Sequence, residues 1–379
     1  MSATAPAPAV APPWPAHFLA LPPIQAWIAA ALTPAFGPVH DVTLAHVYEA
    51  KTRAVTARFT VRPSAQPAAD IVFKATLEPL FFYAPHVDRL MMSAAPEHVP
   101  ELLAAEFLEV PTFGEGLPTK GIAPEAAARR WGRLYSLYRP FAGTKVRALF
   151  NEARGGGAAT LEQATAAAAT AARDFAKLQH AVAALPDQVK GGIPRLPVAQ
   201  LPALYDGFLE RIEREYLPRW VAGEGDYPPD LPEPRVAFAQ LCAKRTAVAS
   251  WTAELDGGPW PETVEHVDFG PHNATIEPDG RAVFFDWEES VLSCPFFSVV
   301  QWVWRPDSGS DAVREAYLDA LPWGSRAQRE RALVLAEPLH LIKDALTLEA
   351  IRESEGFPDG VQRVPGFVRM MQRSWSANE

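Results

Sequence analysis

The run His266-Val-Asp268-Phe-Gly-Pro-His-Asn273, followed by Val283-Phe-Phe-Asp286-Trp-Glu288, sets an acid, an amide and a second acid at offsets of five and eighteen residues. Magnesium prefers hard oxygen donors and keeps several waters, so one carboxylate and one amide oxygen are enough protein ligands for it. Asn273 and Asp286 are that pair. Asp268, at the start of the same loop, is then left to accept a hydrogen bond from a substrate hydroxyl and to take its proton late in a transfer. Phosphoryl transfer asks for this set, because its transition state needs positioning and charge compensation more than covalent help. Gly270-Pro271 suits the sharp reversal between Asp268 and Asn273.

A bare His-x-Asp occurs often by chance; the added Asn273 and the acid that closes a hydrophobic run make the pattern specific. Three other readings stand beside it. The loop could be a solvated turn, with Asp286 capping the segment after it. His266, Asp268, His272 and Asp286 could be transition-metal ligands of a hydrolase, which leaves Asn273 and Lys74 without a purpose. A third reading is a catalytically silent nucleotide-binding protein.

The order His-x-Asp-x-x-x-x-Asn, then a hydrophobic strand ending in Asp, resembles the catalytic loop of protein-kinase-like phosphotransferases. The Asp286-Trp287-Glu288 ending, where protein kinases carry Asp-Phe-Gly, is similar to the aminoglycoside phosphotransferase branch. Phe284 to Glu289, Cys294 to Ser298 and Ala95 to Ala105 also look like that group, so the resemblance covers about residues 70–76, 95–106 and 262–304. It implies a bilobal α+β fold, with an N-lobe built on an antiparallel sheet and a larger, mainly helical C-lobe. It also implies ATP or GTP as donor, Mg2+, and a small-molecule hydroxyl as acceptor.

On that resemblance His266 braces the loop and moves no proton. Lys74, in Ile-Val-Phe-Lys-Ala, corresponds to the lysine that meets the α- and β-phosphates as a point charge. The backbone of Leu137, Tyr138 and Arg139 corresponds to the linker where adenine docks. The acid that orients the lysine has no clear counterpart: Glu78 follows too closely and Asp88 opens the next helical stretch. The turn at 49–52 holds no glycine, which this branch commonly tolerates. Glu288 and Glu289, with Glu337, Asp344, Glu349 and Glu353, could form an acidic pocket for a cationic acceptor, although such charges on a helix face are often simply solvated. Trp302 and Trp304 are alternative lining residues.

These groups need a scaffold. The chain has 379 residues, enough for two lobes, and is 48% hydrophobic and 21% charged. A net charge of −10 argues against a nucleic-acid surface, which needs a basic stripe. Two cysteines, Cys242 and Cys294, make neither a disulfide framework nor a zinc site. With no Lys or Arg before Lys51, and no apolar run near the ~20 residues that span a bilayer, the reading is a cytoplasmic protein without a membrane partner.

Residues 1–17 are Ala/Pro-rich and read as an extension. Alternation predicts a hairpin, Val42–Glu49 with Ala54–Val61, and a strand Ile71–Thr76 with Ile71 and Phe73 on one face and Val72 and Lys74 on the other. A helix over 86–95 and strands Leu102–Val110 and Leu134–Leu137 complete an N-lobe of 18–138. The C-lobe, 139–379, has helices at 158–184, 201–217 and 236–255, strands at 262–266 and 281–286, and helix from 311 onward.

Overall fold

Alternating residues near the N-terminus do become strands in the computed structural model, which describes residues 19–20, 22–50, 54–76, 83–109, 132–224, 227, 229–304, 308–355, 368–369, 371 and 375. Helix α1 (Pro22–Phe36) leads into β1 (Val39–Ala50), β2 (Ala54–Pro63) and β3 (Ala69–Thr76). With β4 (Leu102–Glu109) and β5 (Gly132–Tyr138) they form an antiparallel sheet in the order β1-β2-β3-β5-β4. Successive side chains alternate faces, and the sheet is two-sided for that reason. Val55, Ala57, Phe59, Ile71, Phe73, Ala75, Tyr135 and Leu137 are buried with Ile24, Trp27, Ile28 and Leu32 of α1. Trp27 meets Phe73 and Tyr135 at 6.4 and 5.4 Å between ring centroids, and its indole N–H donates to Glu106 Oε2 at 2.7 Å. The other face carries Lys74, half-buried, between its register partners Thr56 and Ser136.

The chain divides into two compact units, Met1–Phe82 with Glu101–Pro140, and Tyr83–Pro100 with Phe141–Glu379. Tyr83–Pro100, which falls between β3 and β4, therefore belongs with the second unit, whereas the sequence reading kept all of 18–138 together. Helix α2 (Ala84–Ala94) explains why: Val87, Leu90 and Met91 are buried in the second unit's core.

In that unit β6 (Thr144–Lys145) precedes α3 (Val146–Arg154) and the long α4 (Leu161–Ala184). Thr160 and Gln163 close a reciprocal capping box at the start of α4. Ala164, Ala168, Ala171 and Ala172 make a small-residue stripe that lets its neighbours approach closely, and Phe175 and Leu178 continue the buried face. Helices α5 (Leu201–Arg211) and α6 (Leu217–Val221) are joined by a wide turn, Ile212–Tyr216. The single helix predicted over 236–255 is two, α7 (Pro234–Ala243) and α8 (Arg245–Asp256), meeting at Lys244.

Short strands come next. β7 (Thr263–Glu265) pairs with β10 (Val291–Ser293), and β8 (Ala274–Ile276) lies between β6 and β9 (Ala282–Phe284). Gly143 is obligatory here, since a Cβ would stand 2.4 Å from Ile276 O. Helices α9 (Phe296–Val303), α10 (Ser310–Ala320) and α11 (Arg326–Glu355) complete the unit. Among the described residues no helix is long and apolar enough to cross a membrane.

Candidate active site

Position is set first by how β7 is held. Thr263 Oγ1 donates to the Gln179 carbonyl of α4 at 2.6 Å, and Gln179 Nε2 donates to Val264 O at 2.9 Å and to Pro295 O at 3.1 Å. Gln179 is fully buried, and its Oε1 lies 2.6 Å from the Tyr317 hydroxyl. One α4 amide thus fixes the strand that delivers His266 and the turn that starts α9.

His266 is buried, and its pKa is held below the ordinary value because burial disfavours the imidazolium. Its Nε2 lies 2.9 Å from Phe285 O, so that nitrogen carries the proton and donates it to the carbonyl just before Asp286. Its backbone N–H donates to Ser298 Oγ at 2.9 Å, and its ring packs 4.6 Å from Trp287. Through Nε2, its backbone N–H and its ring, buried His266 joins the end of β7 to Phe285, Ser298 and Trp287.

The turn after Asp268 is anchored by Phe269, which is buried and stacked 4.0 Å from Phe175. Asn273 N–H donates to Gly270 O at 3.0 Å, and Asn273 O accepts from Phe285 N–H at 3.3 Å. The β8–β9 hairpin therefore brings residues twelve apart in sequence into contact. Its far end is tied as well: Ala282 N–H donates to Asp174 Oδ2 at 3.1 Å, and Ala282 O lies 2.8 Å from His98 Nδ1. Asn273 is buried, and its Nδ2 donates to Asp268 O at 3.1 Å and Oδ2 at 3.3 Å. Spending the amide nitrogen on Asp268 turns the amide oxygen into the group available as a cation donor.

Asp286 comes directly after Phe285, two residues past the end of β9 rather than at the strand terminus that the sequence suggested. Its φ of 72° makes it the one non-glycine residue with positive φ among the described residues. That backbone is strained for an L-residue, and Asp tolerates it better than most. The left-handed turn leaves Asp286 exposed while Trp287 is buried, with its indole N–H on Phe284 O at 3.0 Å. Asn273 and Asp286 thus offer an amide and a carboxylate oxygen from adjoining segments, a hard donor set of the kind magnesium takes.

Asp268 is half-exposed, and its Oδ2 lies 2.8 Å from His272 Nε2. Sequence reading gave His272 a place in a possible metal cluster, and missed this contact although the i,i+4 spacing signals it. It also missed a half-buried aromatic pair. Phe285 stacks on Phe141 at 5.1 Å, with Lys145 Nζ 4.9 Å above the Phe285 ring. No local signal joins residues so far apart.

Among the described residues no group of three or more His, Cys, Asp or Glu side chains could hold a metal, so the four-ligand hydrolase site is not assembled. Glu288 and Glu289 are half-buried beside Tyr83, whose hydroxyl is pushed well above its ordinary pKa by burial and by those two carboxylates. Other members of the supposed acidic pocket are committed. Asp344 Oδ2 is 3.0 Å from His340 Nε2 and Oδ1 is 3.5 Å from Lys343. Glu337, raised in pKa by burial, takes a hydrogen bond from Trp304. The side chains of Glu349 and Glu353, and all of Glu78, lie outside the described residues. Trp302 is buried with its N–H on Ser308 O.

In the first unit the supposed adenine-docking stretch is part of the sheet. Leu137 and Tyr138 are laddered between β3 and β4, and Arg139 N–H donates to Glu101 O at 2.9 Å. That donor is therefore spent inside the first unit.

No protein-family model matches the chain, and no curated protein matches it in sequence. Solved structures do. An aminoglycoside 2'-phosphotransferase-IIIa in its GDP complex superposes with a TM-score of 0.53 at 13% identity, covering 94% of this chain and 99% of that one. The ethanolamine kinase of Plasmodium vivax gives 0.51 at 10% identity, covering 89% and 82%. The chain therefore has the α+β protein-kinase-like fold shared by aminoglycoside phosphotransferases and ethanolamine kinases.

Proposed function

We propose that the protein transfers the γ-phosphate of ATP or GTP to a hydroxyl of a small molecule. The observation that carries this is the frame around Asn273: its nitrogen held by Asp268, its carbonyl by Phe285, and the strained, exposed Asp286 next in line. A solvated turn has no reason to keep an acid in a left-handed conformation between a fixed strand and a buried tryptophan.

In this reading Asn273 Oδ1 and the Asp286 carboxylate hold magnesium, which supplies compensation for the charge on the β- and γ-phosphates. Lys74 adds an ammonium toward the α- and β-phosphates, and the Phe141–Phe285 stack offers an aromatic face to a nucleobase. Asp268 orients the acceptor hydroxyl. The acceptor oxygen bonds to the γ-phosphorus as the bond to the β–γ bridging oxygen breaks, the nucleoside diphosphate leaves with that electron pair, and Asp268 takes the hydroxyl proton late. Acceptor recognition falls to the second unit, where Glu288 and Glu289 suit a cationic group.

The test is acceptor-dependent ADP or GDP release from pooled hydroxylated amines, sugars and antibiotics. Wild-type protein should turn over at least one pool, and Asp268→Asn should lose about 10²- to 10⁴-fold in kcat while binding nucleotide within a few-fold of wild type. Wild-type turnover by Asp268→Asn would remove the assigned role.

A further inference from the structure

We infer that His272 is a positioning residue for Asp268, fixing the plane of its carboxylate; this rests on the phosphotransfer reading above. Asp268 is half-exposed and sits on a loop, so packing alone does not restrict its side chain. Its Oδ2 instead receives two donors, His272 Nε2 at 2.8 Å and Asn273 Nδ2 at 3.3 Å. The His272 bond is the shorter, and it is the one whose donor has no role as a cation ligand.

The backbone on either side of His272 is pinned. Pro271 O accepts from Arg147 N–H at 2.7 Å, and Asn273 N–H is bound to Gly270 O. The imidazole is therefore delivered by a rigid turn, and an i,i+4 step carries its ring back over Asp268. Facing a carboxylate, Nε2 carries the proton, which leaves Nδ1 as the buried nitrogen with no hydrogen-bond partner. A ring retained in that state is held for the contact its other nitrogen makes. Asp268 in turn needs the contact because a misplacement near 1 Å at a reacting group costs about 10²-fold in rate.

The test compares His272→Leu, His272→Gln, Asp268→Asn and the double variant His272→Leu/Asp268→Asn on the best acceptor found by the pooled screen. His272→Leu should lower kcat about 10- to 100-fold, with KM for nucleotide and acceptor changed less than about 3-fold. Gln carries an N–H donor at the reach of Nε2, so His272→Gln should recover most of the loss. In the double variant the His272 substitution should add nothing to the loss from Asp268→Asn, because it acts through that carboxylate. Wild-type kcat in His272→Leu, or His272→Gln no better than His272→Leu, would overturn the inference while leaving the phosphotransfer reading intact. Wild-type protein without acceptor-dependent turnover, or Asp268→Asn as active as wild type, would overturn both.

Discussion

Lys343 of α11 reaches the Glu265 carboxylate at the end of β7, directly before His266, and both side chains are almost wholly buried. Replacing it by methionine keeps the stem and removes the ammonium. Among the described residues Glu265 is then a charge with no cation beside it, and Asp344 keeps His340 and the Gln301 amide. Asp344 depends on the pair: burial pushes its pKa up, and His340 and Lys343 more than offset this to hold it below the ordinary value. Breaking a buried ion pair by removing one partner costs about 3–5 kcal/mol. At about 2–4 °C per kcal/mol for a domain of this size, Lys343→Met should melt roughly 6–20 °C below wild type. The double variant Lys343→Met/Glu265→Leu leaves no orphaned charge at that contact and should recover most of the loss, since apolar replacement of such pairs is often neutral. Thermal and urea unfolding followed by tryptophan fluorescence measure both. A single variant that melts with wild type, or a double variant as unstable as the single, would refute the claim that this pair holds the end of β7.

The site itself yields three more expected outcomes. Asp286→Ala and Asp286→Gly should both lose magnesium-dependent nucleotide binding in calorimetry, yet the glycine variant should be more stable by about 1 kcal/mol, because glycine alone tolerates a φ of 72° without strain. His266 stays neutral in the folded protein, its pKa depressed by burial, while the unfolded chain gains a proton below about 6.5. Stability from this residue is thus complete above that pH and falls as pH drops below it, by at most about 1.4 kcal/mol per unit; His266→Gln should flatten that acid limb in denaturation midpoints. Gln179→Leu removes the donor from Val264 O, while Pro295 O keeps the Tyr317 hydroxyl, and should cost about 1–3 kcal/mol in urea unfolding through the carbonyl it orphans.

The strands of the first unit were legible because each alternates around one buried face, and Lys74 was placed on the polar face of β3 by that rule alone. That Asp268, Asn273 and Asp286 belong to one neighbourhood was legible because they lie close in the chain, and the β8–β9 hairpin sets Asn273 against Phe285. What escaped was set by contacts between distant segments. Tyr83 to Pro100 reads as part of the first lobe by position, but Val87, Leu90 and Met91 find their apolar partners in the second unit. Arg139 reads as linker, but its N–H completes a bond to Glu101 that no local pattern announces. Asp344 and Glu337 read as an acidic face, and three-dimensional neighbours, Lys343, His340 and Trp304, convert them into internal partners.

The Gln179 amide has a consequence for how such a protein can diversify. It ties β7 and the turn before α9 to the C-terminal part of α4 through main-chain carbonyls, whose identity does not change when side chains do. Substitutions on the outward faces of α10 and α11 can accumulate without loosening that knot. Side chains around the loop can change while Asp268, Asn273 and Asp286 keep their places.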